Sequence, residues 1–450
     1  CPAVSGFTPS SANAASLSAS VEPRSVPAIS ALYTDRGSRR SARRFATATD
    51  SNHLFAMPRA YGHPPPRGDG ARVHSLGAVT IRIAYADGPS APRCSPAEVM
   101  AACGVDGPFE VLLGWTPQPL AWLDGGDVRA TTVLAGYGLG RAVAAGLVVP
   151  LPVRVGAVGS MLAHDPPEIA VVPGVRRGDA LAFHGSVGWG DVLARVARRV
   201  VVEVIEPADG GRDLGAPLIE GDIVATVPRR DALPPVTLRP PDDIDRAIAD
   251  QVVDLLPDDA TLQFGLGSVP DAIAASIDRP VHIWSGLVTD AMAGLHGRGL
   301  LSSPAVAAYT WGGDPIADLA TAGMLSLRST GVTHDIGRLA AIPRLVAINA
   351  ALQVGLDGSV NVERVGGRTI AGIGGHGDFS AGASRSRGGF SVVAVRSVAP
   401  SGAPTIVPEV DVVSTQRSDI DVVVTEHGVA DLRRVGDGER ARRLLAIAGR

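Results

Sequence analysis

From about Ala91 to the C-terminus, short apolar runs rich in Val and Ile alternate with Ala-rich segments of helical period, and this alternation most restricts the fold. Residues 109–113, 130–134, 169–172 and 200–205 read as buried strands, and 96–102 and 191–199 as helices. Strands separated by helices pair in parallel, because a crossover long enough to hold a helix returns the chain in the same direction. Such sheets are covered on both faces. The chain has 450 residues, enough for two domains. The Pro-rich stretch PRRDALPPVTLRPPD (228–242) reads as a linker between them. The halves also resemble each other. FEVLLGWTPQPLAWL (109–123) matches ATLQFGLGSVPDAIAASI (260–277), and PEIAVVPGVRRGDALAFHGSVG (167–188) matches PRLVAINAALQVGLDGSVN (343–361). The expected fold is α/β, with two related open α/β/α domains, mostly parallel sheets, and a ligand cleft between them. The expected boundaries are a disordered leader over 1–88, one domain over 89–235 and a second over 236–450. The leader is dominated by Ser, Ala, Pro and Arg and has no apolar stripe of helical period.

Composition excludes several chemistries. All 41 basic residues are Arg, since no Lys occurs, so Schiff bases, pyridoxal phosphate anchoring and the Walker A lysine are removed together. The net charge of -4 makes no electrostatic case for nucleic acid or an anionic membrane as partner. Cys1, Cys94 and Cys103 are too few and wrongly spaced for a disulfide framework or a zinc site. They read as reduced thiols of a cytoplasmic protein, and no metal is expected. The best apolar stretch, Val133–Leu162, is broken by Arg141, Arg154 and two prolines, so no membrane-spanning helix is expected.

Two glycine clusters carry the chemistry. In QFGLGSVP (263–270), Gly265 and Gly267 allow a tight turn and close approach of a ligand, and the helix that follows offers unpaired N–H groups suited to phosphate. In GIGGHGDF (372–379), Gly372, Gly374 and Gly377 satisfy G-x-G-x-x-G, which raises a nicotinamide-dependent dehydrogenase as one reading. Against it, the following DFSAGASRSRGGF does not read as a helix of apolar period, and no acid stands some twenty residues on. The other reading is a nest of main-chain N–H groups for an oxyanion or pyrophosphate. Gly136, Gly138 and Gly140 in LAGYGLG form a weaker cluster. His282, His334 and His427 have no partners at ligand spacing and read as packed side chains, and His164 sits in a Pro-rich loop without an H-E-x-x-H context; Trp115, Trp122, Trp189, Trp284 and Trp311 read as core or cleft lining.

The ordered series QFGLGSVPDAI, IWSGLVTDAM, AINAALQVGLDGSVNVE, GIGGHGDFSAGASRSRGG, VDVVSTQRSDIDVVVTEHGVADL and RARRLLAIA resembles the acetyl-CoA hydrolase / 4-hydroxybutyrate CoA-transferase family, of the class I CoA-transferase type. The resemblance is dense from Asp243 onward and thinner over 91–235. It implies a small acyl-CoA bound in the interdomain cleft, coenzyme A serving as acyl carrier, a small carboxylic acid as co-substrate, and an oligomer of identical chains as one possible assembly. By the same resemblance, Gly265, Leu266, Gly267, Ser268 and Val269 form the CoA-binding turn. Ile373 and Gly377 contact CoA, and the main chain around Gly375 and Gly377 receives the thioester oxygen. Glu426 stands where the family carries a carboxylate lining the site. The family's nucleophile is a Glu that forms a mixed anhydride and then a glutamyl-CoA thioester; the matching segment IWSGLVTD (283–290) has Gly286 at that position. Three outcomes remain open. Ser285 or Asp290 replaces the nucleophile; water attacks, with Glu426 or His376 as base, in an acyl-CoA hydrolase; or the protein binds CoA without turnover, as a sensor or partner subunit.

Overall fold

The computed structural model describes residues 80–125, 128–207, 211–235 and 238–449. The expected leader lies outside them except for its last stretch, and there the expectation is corrected. Residues Ile81–Tyr85 are β1, a strand in the middle of the first sheet, paired in parallel with a neighbour on each side. The strand is only five residues long and is interrupted by Arg82, so the polar composition upstream masks it.

The first sheet continues with β2 (Phe109–Leu113), β3 (Arg129–Thr132), β4 (Val148–Pro150), β5 (Ile169–Arg177), β6 (Ala180–Phe183), β7 (Arg199–Val204) and β8 (Ile223–Pro228). Its order is β4-β3-β2-β1-β5-β7-β8, all parallel, with β6 antiparallel on β5. The second sheet is built from β9 (Thr261–Phe264), β10 (His282–Thr289), β11 (Ala305–Trp311), β12 (Leu325–Leu327) and β13 (Leu345–Asn349). Between these and its remaining strands the chain makes the short β14 (Gln353–Gly355), β15 (Val360–Asn361), β16 (Arg364–Val365) and β17 (Arg368–Thr369). The sheet resumes with β18 (Phe390–Ala394), and after β19 (Ile406–Val407) closes with β20 (Val422–Thr425) and β21 (Gly428–Asp431). The order is β12-β11-β10-β9-β13-β18-β20-β21, with β21 alone antiparallel.

The first seven positions of the two orders correspond, so the fold is the duplicated, mostly parallel α/β arrangement expected. β5 and β13 hold the same position, as the matching of 167–188 with 343–361 requires. The matching of 109–123 with 260–277 is one strand out of phase, because the counterpart of β9 is β1 rather than β2. Both differences have one origin: the first strand of the first repeat lies within the segment whose composition reads as leader.

Each sheet buries near-continuous apolar runs, as strands covered on both faces must. β13 and β18 are buried at every position. The helix His376–Ala383, which the sequence pattern does not reveal, crosses between them. All eight of its residues are buried, so it needs no polar face and shows no stripe.

The two lobes are stitched by main-chain bonds as well as side chains. Thr310 N–H donates to Gly185 C=O (2.7 Å), Val187 N–H to Ala308 C=O (3.0 Å) and Thr330 N–H to Gly188 C=O (2.8 Å). Val155 N–H donates to Gly374 C=O (3.1 Å). The Tyr309 hydroxyl donates to Asp87 Oδ2 at 2.6 Å, across the junction and wholly buried. Among the described residues, no helix is long and apolar enough to cross a membrane.

Candidate functional site

A cavity of about 250 Å³ opens where the lobes meet. The first lobe contributes Trp115, Leu134, Ala135, Tyr137 and Val155. The second contributes the end of β9 and the turn after it (Gln263–Leu266), Gly286–Leu287 within β10, Tyr309, His334 and the Gly-rich segment around Gly372–His376. The position is the one that parallel α/β sheets favour, at the carboxyl ends of the strands.

The wall toward the first lobe is aromatic. Trp115 packs on Tyr137, Trp311 and Tyr309 at ring separations of 5.4, 5.9 and 6.2 Å. The floor holds a reciprocal amide pair. Gln263 Nε2 donates to Asn349 Oδ1 (3.1 Å) and Asn349 Nδ2 donates to Gln263 Oε1 (3.0 Å), which fixes the ends of β9 and β13. No Asp, Glu, Ser or Cys lines this cavity among the described residues; its ionisable side chains are His334, His376, Tyr137 and Tyr309.

The Gly-rich segment forms the opposite wall. The first bond of its helix runs from Phe379 N–H to Gly375 C=O (3.0 Å), so the N–H groups of His376, Gly377 and Asp378 have no acceptor within the helix. An anion is favoured there both by these donors and by the helix dipole. Gly372, Gly374, Gly375 and His376 line the cavity. Ile373 and Gly377 do not: Gly377 faces the Arg154 side chain, 3.2 Å from where a Cβ would stand. The segment is preceded by the two-residue hairpin strand β17 and not by a strand of the main sheet. The dinucleotide reading of its glycines therefore fails on context, although a helix does follow them.

The turn after β9 divides between two cavities. Gly265 and Leu266 face the cleft. Ser268 and Val269 face a neighbouring cavity of about 480 Å³ that Gln353, Arg368 and Arg396 also line. Gly267 between them has φ 143°, a conformation that favours glycine, and begins the helix Ser268–Ser276. Arg396 is tied to Asp242 and Asp245, whereas Arg368 is exposed and makes no ion pair among the described residues.

Of the remaining expected residues, Glu426, Ser285 and Asp290 are placed elsewhere, and His376 lines the cavity. Glu426 does not line the cleft. It accepts from Ser397 N–H (2.9 Å) and Ser397 Oγ–H (2.6 Å), and these bonds hold its carboxyl below the usual range against the opposing effect of burial. It fixes the turn between β20 and β21. Ser285 points to the other face of β10, donating to Phe264 C=O and accepting from Phe264 N–H. Asp290 starts the next helix and accepts from Gly313 N–H at 3.0 Å. His376 has Nδ1 2.8 Å from Thr415 Oγ1, while its buried Nε2 has no partner among the described residues; burial pushes its pKa down to about 4.

His334, which the sequence reads as a packed side chain, is in the cleft instead. A Cβ built on Gly286 would stand 3.2 Å from His334 Nε2, and one on Gly375 would stand 2.6 Å from it. The imidazole thus fills the space between the position resembling the family's nucleophile and the Gly-rich wall. Trp284 Nε1 donates to Thr333 C=O (3.1 Å), His334 N–H donates to Thr330 C=O (3.0 Å), and the ring packs on Phe379 at 4.7 Å. Burial lowers its pKa to about 3. No local signal marks it, because Gly286 and Gly375 are far from it in sequence. Tyr137, Gln263 and Asn349 carry no local signal for the same reason, whereas Trp115 lines the cleft as one of the tryptophans read as core or cleft lining.

Residues 317–449 match the acetyl-CoA hydrolase/transferase C-terminal domain. The 4-hydroxybutyrate coenzyme A transferase of Clostridium kluyveri is 32% identical over 232 residues, covering 48% of this chain and 54% of that protein. The acetyl-CoA hydrolase of Saccharomyces cerevisiae is 31% identical over 240 residues, covering 48% and 44%. The chain thus spans about half the length of the curated relatives it matches. Among solved structures, RipA from Yersinia pestis superposes with a TM-score of 0.71 at 22% identity, covering 83% of this chain and 92% of the other. A 4-hydroxybutyrate CoA-transferase from Porphyromonas gingivalis does so with a TM-score of 0.64 at 22% identity, covering 82% and 90%. The resemblance read from the six ordered blocks holds, and so does the fold it implies.

Proposed function

We propose, on the premise that residues 317–449 are an acetyl-CoA hydrolase/transferase C-terminal domain, that the cleft takes a small acyl-CoA thioester and that the protein hydrolyses it or passes CoA to a small carboxylic acid. The observation that carries this reading is the meeting of two Gly-rich segments, Gly265–Leu266 and Gly372–His376, across one cavity. In this reading the thioester carbonyl lies against the second segment, whose free N–H groups stabilise the oxygen as it becomes negative. The acyl group packs against Trp115, Leu134 and Leu287. The pantetheine arm passes over Gly265 and Leu266, and the nucleotide end occupies the neighbouring cavity beside Ser268 and Val269. There Arg368 is the cation free to meet a phosphate, the role that Arg must take in a chain without Lys.

A second reading, binding of CoA without turnover, is favoured by Gly286 and by the lack of any carboxylate, Ser or Cys among the described residues lining the cleft. The two separate on incubation with acetyl-, butyryl- and 4-hydroxybutyryl-CoA, with and without acetate. Thiol release without acetate supports the hydrolase, and acyl exchange that requires acetate supports the transferase. Calorimetric binding with neither signal supports the silent binder, and no binding at all removes every reading of this site.

A further inference from the structure

We infer that His334, beside Gly286, is the general base of this cleft and activates a water on its cavity side. The inference rests on the cleft being a thioester site and assigns the group that does the chemistry there.

Three observations carry it. First, the position is right: His334 Nε2 lies against both Gly286 and Gly375, so a carbonyl seated on the Gly-rich wall has this nitrogen beside it. Second, the hydrogen bonds accommodate the tautomer that a base needs. Thr333 Oγ lies 3.3 Å from Ser329 C=O and 2.9 Å from His334 Nδ1. With its one hydroxyl proton given to Ser329, Thr333 accepts from Nδ1–H and Nε2 keeps its lone pair. Third, the carboxylates named from the sequence are engaged elsewhere, and of the two imidazoles lining the cleft it is His334 whose Nε2 lies next to Gly286.

A side chain on residue 286 and the His334 ring compete for the same space. The small residue and the imidazole therefore read as one arrangement, in which a base capping the Thr330–Thr333 turn replaces a nucleophile on β10. In the step itself, a water oxygen bonds to the thioester carbon while its proton passes to Nε2, and the carbonyl electron pair moves onto oxygen opposite the N–H groups of the Gly-rich wall. Collapse re-forms the carbonyl and breaks the C–S bond, and Nε2–H returns the proton to the departing sulfur. The products are a carboxylic acid and free CoA thiol, with no atom unaccounted for.

The test is H334Q and H334A in the full chain, followed by thiol release from whichever acyl-CoA the unaltered protein hydrolyses. The expected result is a fall in kcat of about 10²-fold, the low end for a base because burial holds this imidazole far below the operating pH, with little change in KM, and partial recovery of H334A by added imidazole. H334Q turning over at the unaltered rate overturns the inference and leaves the thioester reading standing. Absence of thiol release from the unaltered protein with all three acyl-CoAs overturns hydrolysis, and this inference with it. Should the variants not fold, diethyl pyrocarbonate on the unaltered protein decides the matter. Activity should disappear in step with carbethoxylation of His334 mapped by mass spectrometry, and acetyl-CoA should protect; activity surviving full modification of His334 overturns the assignment.

Discussion

At Gly286 the strand passes so close to the His334 ring that even a methyl group meets Nε2 and Cε1 at 3.2 and 3.3 Å. A rigid ring held between the Thr333 hydroxyl and the Phe379 ring has little freedom to give way. G286A should therefore destabilise the protein by about 1–3 kcal/mol, the usual cost of forcing a group into a filled interior, measured by urea denaturation. In an H334A background the penalty should shrink, because the methyl then enters the space the ring has left; equal penalties in both backgrounds would refute the steric coupling. Position 286 was found from the sequence, since it sits inside a recognisable block. His334 was not, because a buried His becomes a site residue only through what folds against it.

At the scale of elements, the strand-turn-helix after β9 is where pattern and structure agree best. An apolar run, Gly-x-Gly and a helix beginning at Ser268 are all legible, because a turn at φ 143° is one that glycine adopts and other residues resist. G267A should cost about 1–3 kcal/mol in backbone strain. It should also weaken acyl-CoA binding in calorimetry, since the same turn faces both cavities; unchanged affinity would detach the turn from ligand binding. The helix His376–Ala383 is the opposite case. Sequence periodicity reports a boundary between core and solvent, and an element buried all round has no such boundary to report. β1 escaped for another reason, its five residues being too few to stand out from the composition before them.

At the scale of the whole molecule, the lobes are pinned through Asp87 and Tyr309. Burial raises the Asp87 carboxyl to about 7, more than offsetting the hydrogen bond from the Tyr309 hydroxyl. In the unfolded chain that carboxyl ionises near its ordinary value, around 3.9. Its contribution to stability is thus fully present below about pH 4 and is lost as pH rises toward 7, a change on the order of 4 kcal/mol. D87N keeps an acceptor for Tyr309 but cannot ionise. Relative to the native protein, D87N should gain stability steadily between pH 4.5 and 7.5 in thermal denaturation, and a flat difference would mean that Asp87 is ionised when buried. Asp378, buried and raised to about 6 while accepting from Gly156 N–H (2.9 Å), ties the lobes at a second point with the same sign. By itself the sequence determined the parallel α/β class, the duplication and the two Gly-rich segments, because apolar runs, turn glycines and repeated blocks are local properties of a chain. Only the tertiary structure decided which residues share the cleft. It withdrew Glu426, Ser285 and Asp290 and brought in His334, because proximity between side chains far apart along the chain is created by how the two sheets pack.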